Sequence, residues 1–123
     1  MQRIKISHDF YRDEFESPDN GEYRMQSEFI YKLQRLRTIC GWPFRIRSGF
    51  RTASYNEKLG GHDNSFHCQG IAADISHRGW NGLQRHKFVS AALSIGFSLG
   101  IYDAHFHLDG RPDPRMLWIG KSK

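Results

Sequence analysis

The sequence predicts an α+β fold, a mostly antiparallel sheet with two long helices packed on it. Apolar residues recur at helical spacing in two segments, 23–40 and 83–95. Short alternating or apolar runs at 44–48, 71–75, 97–102, 106–109 and 116–119 read as strands. The last three strands follow one another with no helix between them. Strands and helices therefore do not alternate as βαβ units, and an antiparallel sheet is expected.

Residues 8–22 are polar and rich in turn formers (Ser17-Pro18-Asp19-Asn20-Gly21). They read as a leading segment, with Phe10, Tyr11 and Phe15 as anchors onto the core. In 23–40, Met25, Phe29, Leu33, Leu36 and Cys40 share one helical face, and Gly41 and Pro43 stop the helix. Phe44-Arg45-Ile46-Arg47-Ser48 alternates apolar and polar, as a half-buried strand does. Thr52 or Ser54 can cap a short helix running to Leu59, and Gly60-Gly61 ends it. A polar loop leads to Ser65. Ile71-Ala72-Ala73-Asp74-Ile75 is a strand of small residues, suited to close packing. After the Gly79-Trp80-Asn81-Gly82 turn, Leu83, Phe88, Ala91, Ala92 and Ile95 mark the core face of the second long helix, which Gly96 ends. Asp103-Ala104-His105 and Gly110-Arg111-Pro112-Asp113-Pro114 supply the turns between the final strands.

At 123 residues the chain reads as one domain, 1–123, with a leading segment at 1–22 and a core over about 23–120. Charged residues make up 25% and hydrophobic residues 38%, a balance that fits a packed globular chain and excludes disorder. No apolar run approaches the ~20 residues needed to span a bilayer, so no membrane insertion is expected. The first residues lack the apolar stretch of a secretory signal. The expectation is a protein held in the cytoplasm of the producing cell unless something releases it, and a monomer. The net charge of +5 favours polyanions. The basic residues are scattered apart from a small cluster at Lys121 and Lys123, and no nucleic-acid-binding motif is present, so no specific nucleic acid is expected. Two cysteines, Cys40 and Cys68, are too few for a disulfide framework. Cys40 reads as a buried apolar residue, and whether the two are bridged is open.

The chemistry concentrates in His67, Asp74 and His107. Two imidazoles and a carboxylate suit a catalytic zinc site, which keeps three protein ligands and an open fourth position. Gly70 lets the chain turn between His67 and Asp74, and His107 comes from a later strand of the same sheet. For any one of these histidines alone, the other reading is a surface or hydrogen-bonded side chain. His8, His77 and His86 read as surface residues, and His62 lies in the polar loop, where it can border the site. Asp109 falls on the same face of its strand as His107. It either accepts a hydrogen bond from a ligand histidine or simply closes the strand.

These residues resemble a family. Ser65-x-His67-x-x-Gly70-x-Ala72-Ala73-Asp74 matches the S-x-H-x-x-G-x-A-x-D signature of the zinc D-Ala-D-Ala carboxypeptidases and related peptidoglycan peptidases. That group shares its fold with the hedgehog signalling domain and includes phage endolysins. Ser48-Gly49-Phe50-Arg51 resembles the family's S-G-[FY]-R segment. Tyr55-Asn56-x-x-x-Gly60-Gly61 resembles its [HY]-N-x-x-x-G-G stretch, and Gly100-Ile101-Tyr102 with His107-Leu108-Asp109 its final G-I-Y…H-x-D. The resemblance spans roughly residues 25–110. It implies one zinc ion held by His67, Asp74 and His107. It further implies that Arg51 binds the substrate carbonyl or carboxylate and stabilises the tetrahedral intermediate, and that Ser65 hydrogen-bonds the substrate or a ligand. The implied activity is hydrolysis of peptidoglycan stem peptides, as a carboxypeptidase or an endopeptidase, with a small phage-encoded lysin as one setting.

The chain departs from the best-known members three residues before the last histidine. They carry a Glu or Asp there as general base, and this chain has Ala104. Asp103 and His105 are the neighbouring candidates. The departure also keeps a second expectation open, a non-catalytic, zinc-stabilised module that binds cell wall or builds a virion.

Overall fold

The computed structural model describes residues 2–63 and 65–121. Lys123, half of the expected basic cluster, lies outside the described residues. Among the described residues three α-helices, α1 (Ser27–Cys40), α2 (Ala53–Lys58) and α3 (Gly82–Ile95), accompany five strands, β1 (Arg45–Ser48), β2 (Ala72–Ser76), β3 (Ser98–Ile101), β4 (His105–Asp109) and β5 (Leu117–Ile119). The sheet order is β1-β2-β4-β3-β5. All neighbours are antiparallel except β3 and β5, which are parallel. The α+β expectation holds, and the parallel pair is what the sequence did not signal.

Side-chain caps begin α2 and α3. Thr52 accepts a hydrogen bond from Tyr55 N–H, and Asn81 and Gln84 form a reciprocal capping box, each such cap contributing about 1 kcal/mol. Gly41 and Gly96 terminate α1 and α3 in the left-handed conformation. Helix α1 begins at Ser27, four residues later than its apolar pattern, because Tyr23 and Met25 pack on the core from extended chain.

The core lies between the two long helices and one sheet face. Phe29, Leu33 and Leu36 of α1 and Phe88 and Ala92 of α3 meet Ala73, Ile75, Leu99, Phe106 and Leu108 of the sheet. Strand alternation turns the other residues of β2 and β4 to the opposite face. The register pairs Asp74 with His107 and Ala72 with Asp109, so that opposite face carries the polar residues. Leu83, expected on the core face of α3, is 77% exposed, and Phe88 and Ala92 are the buried residues of that helix.

The leading segment reaches the core as expected, with Phe10 and Phe15 buried and Tyr11 half-buried. It also holds a 3₁₀ turn at Arg12–Glu14 that has no sequence periodicity to announce it. Phe15 C=O accepts from Phe50 N–H at 2.9 Å. A Cβ on Gly49 would lie 2.6 Å from the Phe15 Cα, so only glycine lets these two backbones meet. Cys40 and Cys68 are both free thiols, and burial pushes the Cys40 thiol up to about 11. Among the described residues no helix is long and apolar enough to cross a membrane.

Candidate metal centre

His67, Asp74 and His107 converge on the polar face of the sheet. One ligand atom from each lies within 4.8 Å of the others. Asp74 and His107 are opposed residues of β2 and β4. His67 arrives from the turn before β2, which depends on Gly70. At φ +74° a Cβ on Gly70 would sit 1.9 Å from the carbonyl oxygen of Arg24, so the turn admits only glycine.

Hydrogen bonds settle which nitrogen of each ring faces the centre. The Gly49 carbonyl can only accept, so His67 Nδ1 carries the proton in their 2.8 Å bond and Nε2 is left facing Asp74 Oδ1 at 3.3 Å. Asp109 Oδ2 accepts from His107 Nε2 at 2.8 Å, which directs His107 Nδ1 to the same Asp74 oxygen at 2.9 Å. Backbone carbonyls and carboxylates behind ligand histidines commonly fix the ring tautomer in metal sites. Two imidazole nitrogens and a carboxylate oxygen, aimed at one point beside an open cavity, fit zinc in a three-ligand site.

The electrostatics follow from the same contacts. Burial disfavours the Asp74 carboxylate, yet the imidazoles of His107 and His67 hold its pKa well below the usual range. Burial also opposes charge on His107, but Asp109 and Asp74 prevail and raise its pKa. Asp109 is 0% exposed. Its burial is outweighed by Arg111 and His107, which bring its pKa down to about 2.

Arg51 stands beside the triad. Its guanidinium donates to Asp74 Oδ2 at 3.3 Å, to Ser48 Oγ at 3.0 Å and to Asn56 Oδ1 at 3.3 Å. Buried Asn56 in turn donates to the His62 carbonyl, and its side chain occupies the space a Cβ on Gly61 would need. The glycine and asparagine of this motif thus hold Arg51 in place, a role the sequence reading left unassigned.

His67, Asp74, His107, Arg51 and Ser48 border a cavity of about 930 Å³. Ser65 and His62 line it, and Ser65 Oγ accepts from His67 N–H at 3.2 Å. His105 lines it as well, stacked on Tyr102 with ring centroids 4.5 Å apart. Burial, with the Arg47 guanidinium adding to it, lowers the His105 pKa despite the pull of Asp74. Asp103 is exposed in the turn between β3 and β4 and does not line the cavity. Ala104, which stands where an acid was looked for, is buried.

Three further features escaped the sequence reading. Arg111 forks onto Asp109 (2.9 and 2.8 Å), its guanidinium lying 4.7 Å from the Phe66 ring centre and 5.0 Å from that of Trp118. Trp118 of β5 covers Gly100, where a Cβ would come within 2.6 Å of the indole. His77, expected at the surface, is only 5% exposed. It bonds the Tyr102 carbonyl at 2.8 Å and accepts from Arg85 at 3.1 Å. His8 and His86 are exposed, as expected.

No curated protein matches the chain. A family model described as Peptidase M15 matches residues 8–109. That span runs from the leading segment to the end of β4 and contains all three converging side chains, and the chain belongs to the peptidase M15 family.

Proposed function

We propose that this protein is a zinc peptidase that hydrolyses peptidoglycan stem peptides, with His67, Asp74 and His107 as the metal ligands. The observation that carries the reading is the convergence of His67 Nε2, Asp74 and His107 Nδ1 beside an open cavity, with each ring oriented from behind. Zinc bound there would polarise the scissile carbonyl and make a water nucleophilic near neutral pH. Arg51, held by Ser48 and Asn56, directs its guanidinium into the cavity and stabilises the negative charge that develops on the carbonyl oxygen. Ser65 hydrogen-bonds the peptide at the cavity wall. His105 supplies the acid–base function through Nδ1, its one unprotonated nitrogen, which gives up the bond from Arg47 to take a proton from the attacking water and return it to the departing amine. Its place in the cavity lining and its depressed pKa support that role over Asp103. The protein would act on the cell wall as a monomer after release from the producing cell, as a phage lysin does.

A second reading is a zinc-stabilised module that binds cell wall without cutting it, favoured by the alanine at 104. Incubating the zinc-loaded protein with purified peptidoglycan, beside a chelated control, separates the two. Chelator-sensitive release of peptide fragments in the mass spectrum supports the peptidase and names the bond. Tight zinc binding with no fragment from several wall types would overturn it in favour of the module.

A further inference from the structure

Strand β1 carries an irregularity at the site. Ile46 pairs with Ile75 and Ser48 with Asp74, so two steps along β1 match one step along β2 and Arg47 has no counterpart. An extra residue of this kind breaks the strict alternation of a strand and redirects a side chain. Ser48 and Arg47 consequently both line the cavity, although they are sequence neighbours. In a regular strand one of them would face away.

The charge around the cavity is unbalanced. Arg47, Arg51, Arg111 and Lys121 line it against Asp63 and Asp74. Arg51 is paired with Asp74 and Arg111 with Asp109. Arg47 is exposed and donates to His105 Nδ1 at 3.0 Å, and among the described residues it forms no ion pair. A guanidinium is built to grip a carboxylate through two parallel N–H bonds, and Arg47 has that capacity unspent at the cavity wall.

We propose that Arg47 is a specificity residue that binds a free carboxylate of the substrate, selecting peptides that carry one close to the bond placed at the metal centre. This rests on the peptidase reading above. The carboxylate has two available sources in a peptide, the C-terminus and an acidic side chain.

The test uses the zinc-loaded full chain and uncleavable stem-peptide analogues with a reduced scissile amide. One pair of analogues differs only in a terminal carboxylate against a carboxamide. A second pair differs only in a glutamate against a glutamine. Affinities are measured for the wild type, Arg47→Ala and Arg47→Glu, with zinc content confirming an intact site, and kcat/KM is measured on the cleavable parents. The wild type should prefer the acid member of one pair by about tenfold, the worth of a charge-assisted contact. Arg47→Ala should abolish that preference and Arg47→Glu reverse it. The pair that responds names the source. A wild type indifferent to both pairs, or a preference that survives in both variants, overturns the proposal. An Arg47-dependent preference without any cleavage of the parents leaves the inference standing and removes the peptidase reading instead.

Discussion

His107 donates its Nε2–H to Asp109 at 2.8 Å, and the Asp109 carboxylate is wholly shielded from solvent. That one bond decides which nitrogen of His107 is presented to Asp74. Replacing Asp109 with Asn keeps the shape, removes the charge and permits the wrong tautomer. Asp109→Asn should weaken zinc binding by about 10–100-fold, the usual cost of losing an orienting partner. Competition against a chelator of known affinity measures it, and unchanged affinity would make Asp109 a strand-closing residue only.

The same substitution predicts a pH dependence in the metal-free protein. The folded pKa of Asp109 is about 2, against an ordinary value of 3.8. Because the folded value is depressed, its stabilisation is fully present above pH 4 and disappears as pH falls through 2. The difference in unfolding free energy between wild type and Asp109→Asn should be about 2 kcal/mol at pH 7 and shrink steadily below pH 4. Urea unfolding at pH 7 and pH 2.5 checks it. A difference that stays constant would mean the charge on Asp109 does not stabilise the fold.

His67→Ala and Asp74→Ala should each lose bound zinc, because a site with two ligands cannot hold the ion against water. Arg51→Ala should keep its zinc and lose about 10²–10³ in kcat, the effect of removing one donor to a developing oxyanion. Metal analysis after dialysis, together with turnover, separates these roles. Zinc retained by both ligand variants would refute the assignment.

Much of this was legible in the sequence, for reasons specific to each element. The long helices announced themselves through their apolar period and the short one through its cap, Thr52. The three converging residues were found because His67, Asp74 and His107 are chemically distinctive and sit in a strongly patterned motif. Of the residues that hold them, Asp109 was a candidate and the others were not. Asn56 and Arg111 act on near neighbours, Arg51 and Asp109, and Trp118 acts on Gly100 of another strand, and no local pattern distinguishes a buried Asn56 from a surface asparagine in a short helix. His77 was misplaced for a similar reason, since its partners Tyr102 and Arg85 lie on other elements. The parallel pairing of β3 with β5 depends on the long return through residues 110–116, whose sequence specifies turns but not a destination.

Gly70 links the local chain to the site, which makes it a sharp test of the fold. Alanine there meets the Arg24 carbonyl and must adopt a positive φ. Gly70→Ala should destabilise the protein by about 3 kcal/mol through overpacking and backbone strain, and lower zinc affinity because His67 is displaced. Equilibrium urea unfolding reads the first effect. A variant as stable as the wild type would mean that the turn has another conformation.

The identity of the general base is settled by paired variants. His105 lies in β4 two residues before His107, so alternation puts both rings on the polar face, and the stack with Tyr102 holds His105 at the cavity wall. Asp103 precedes the strand and is exposed in the turn. A side chain must come within hydrogen-bond reach of the proton it moves, or within one water of it. His105→Ala should therefore lose about 10²–10⁴ in kcat with zinc content unchanged, while Asp103→Ala should keep turnover within about twofold. His105→Gln separates positioning from proton transfer, because it preserves a polar side chain and cannot titrate. If Asp103→Ala is the inactive variant, the turn must rearrange on substrate binding to deliver its carboxylate. If both retain full activity, the proton leaves by another group, and Tyr102 on the same wall is the next to replace.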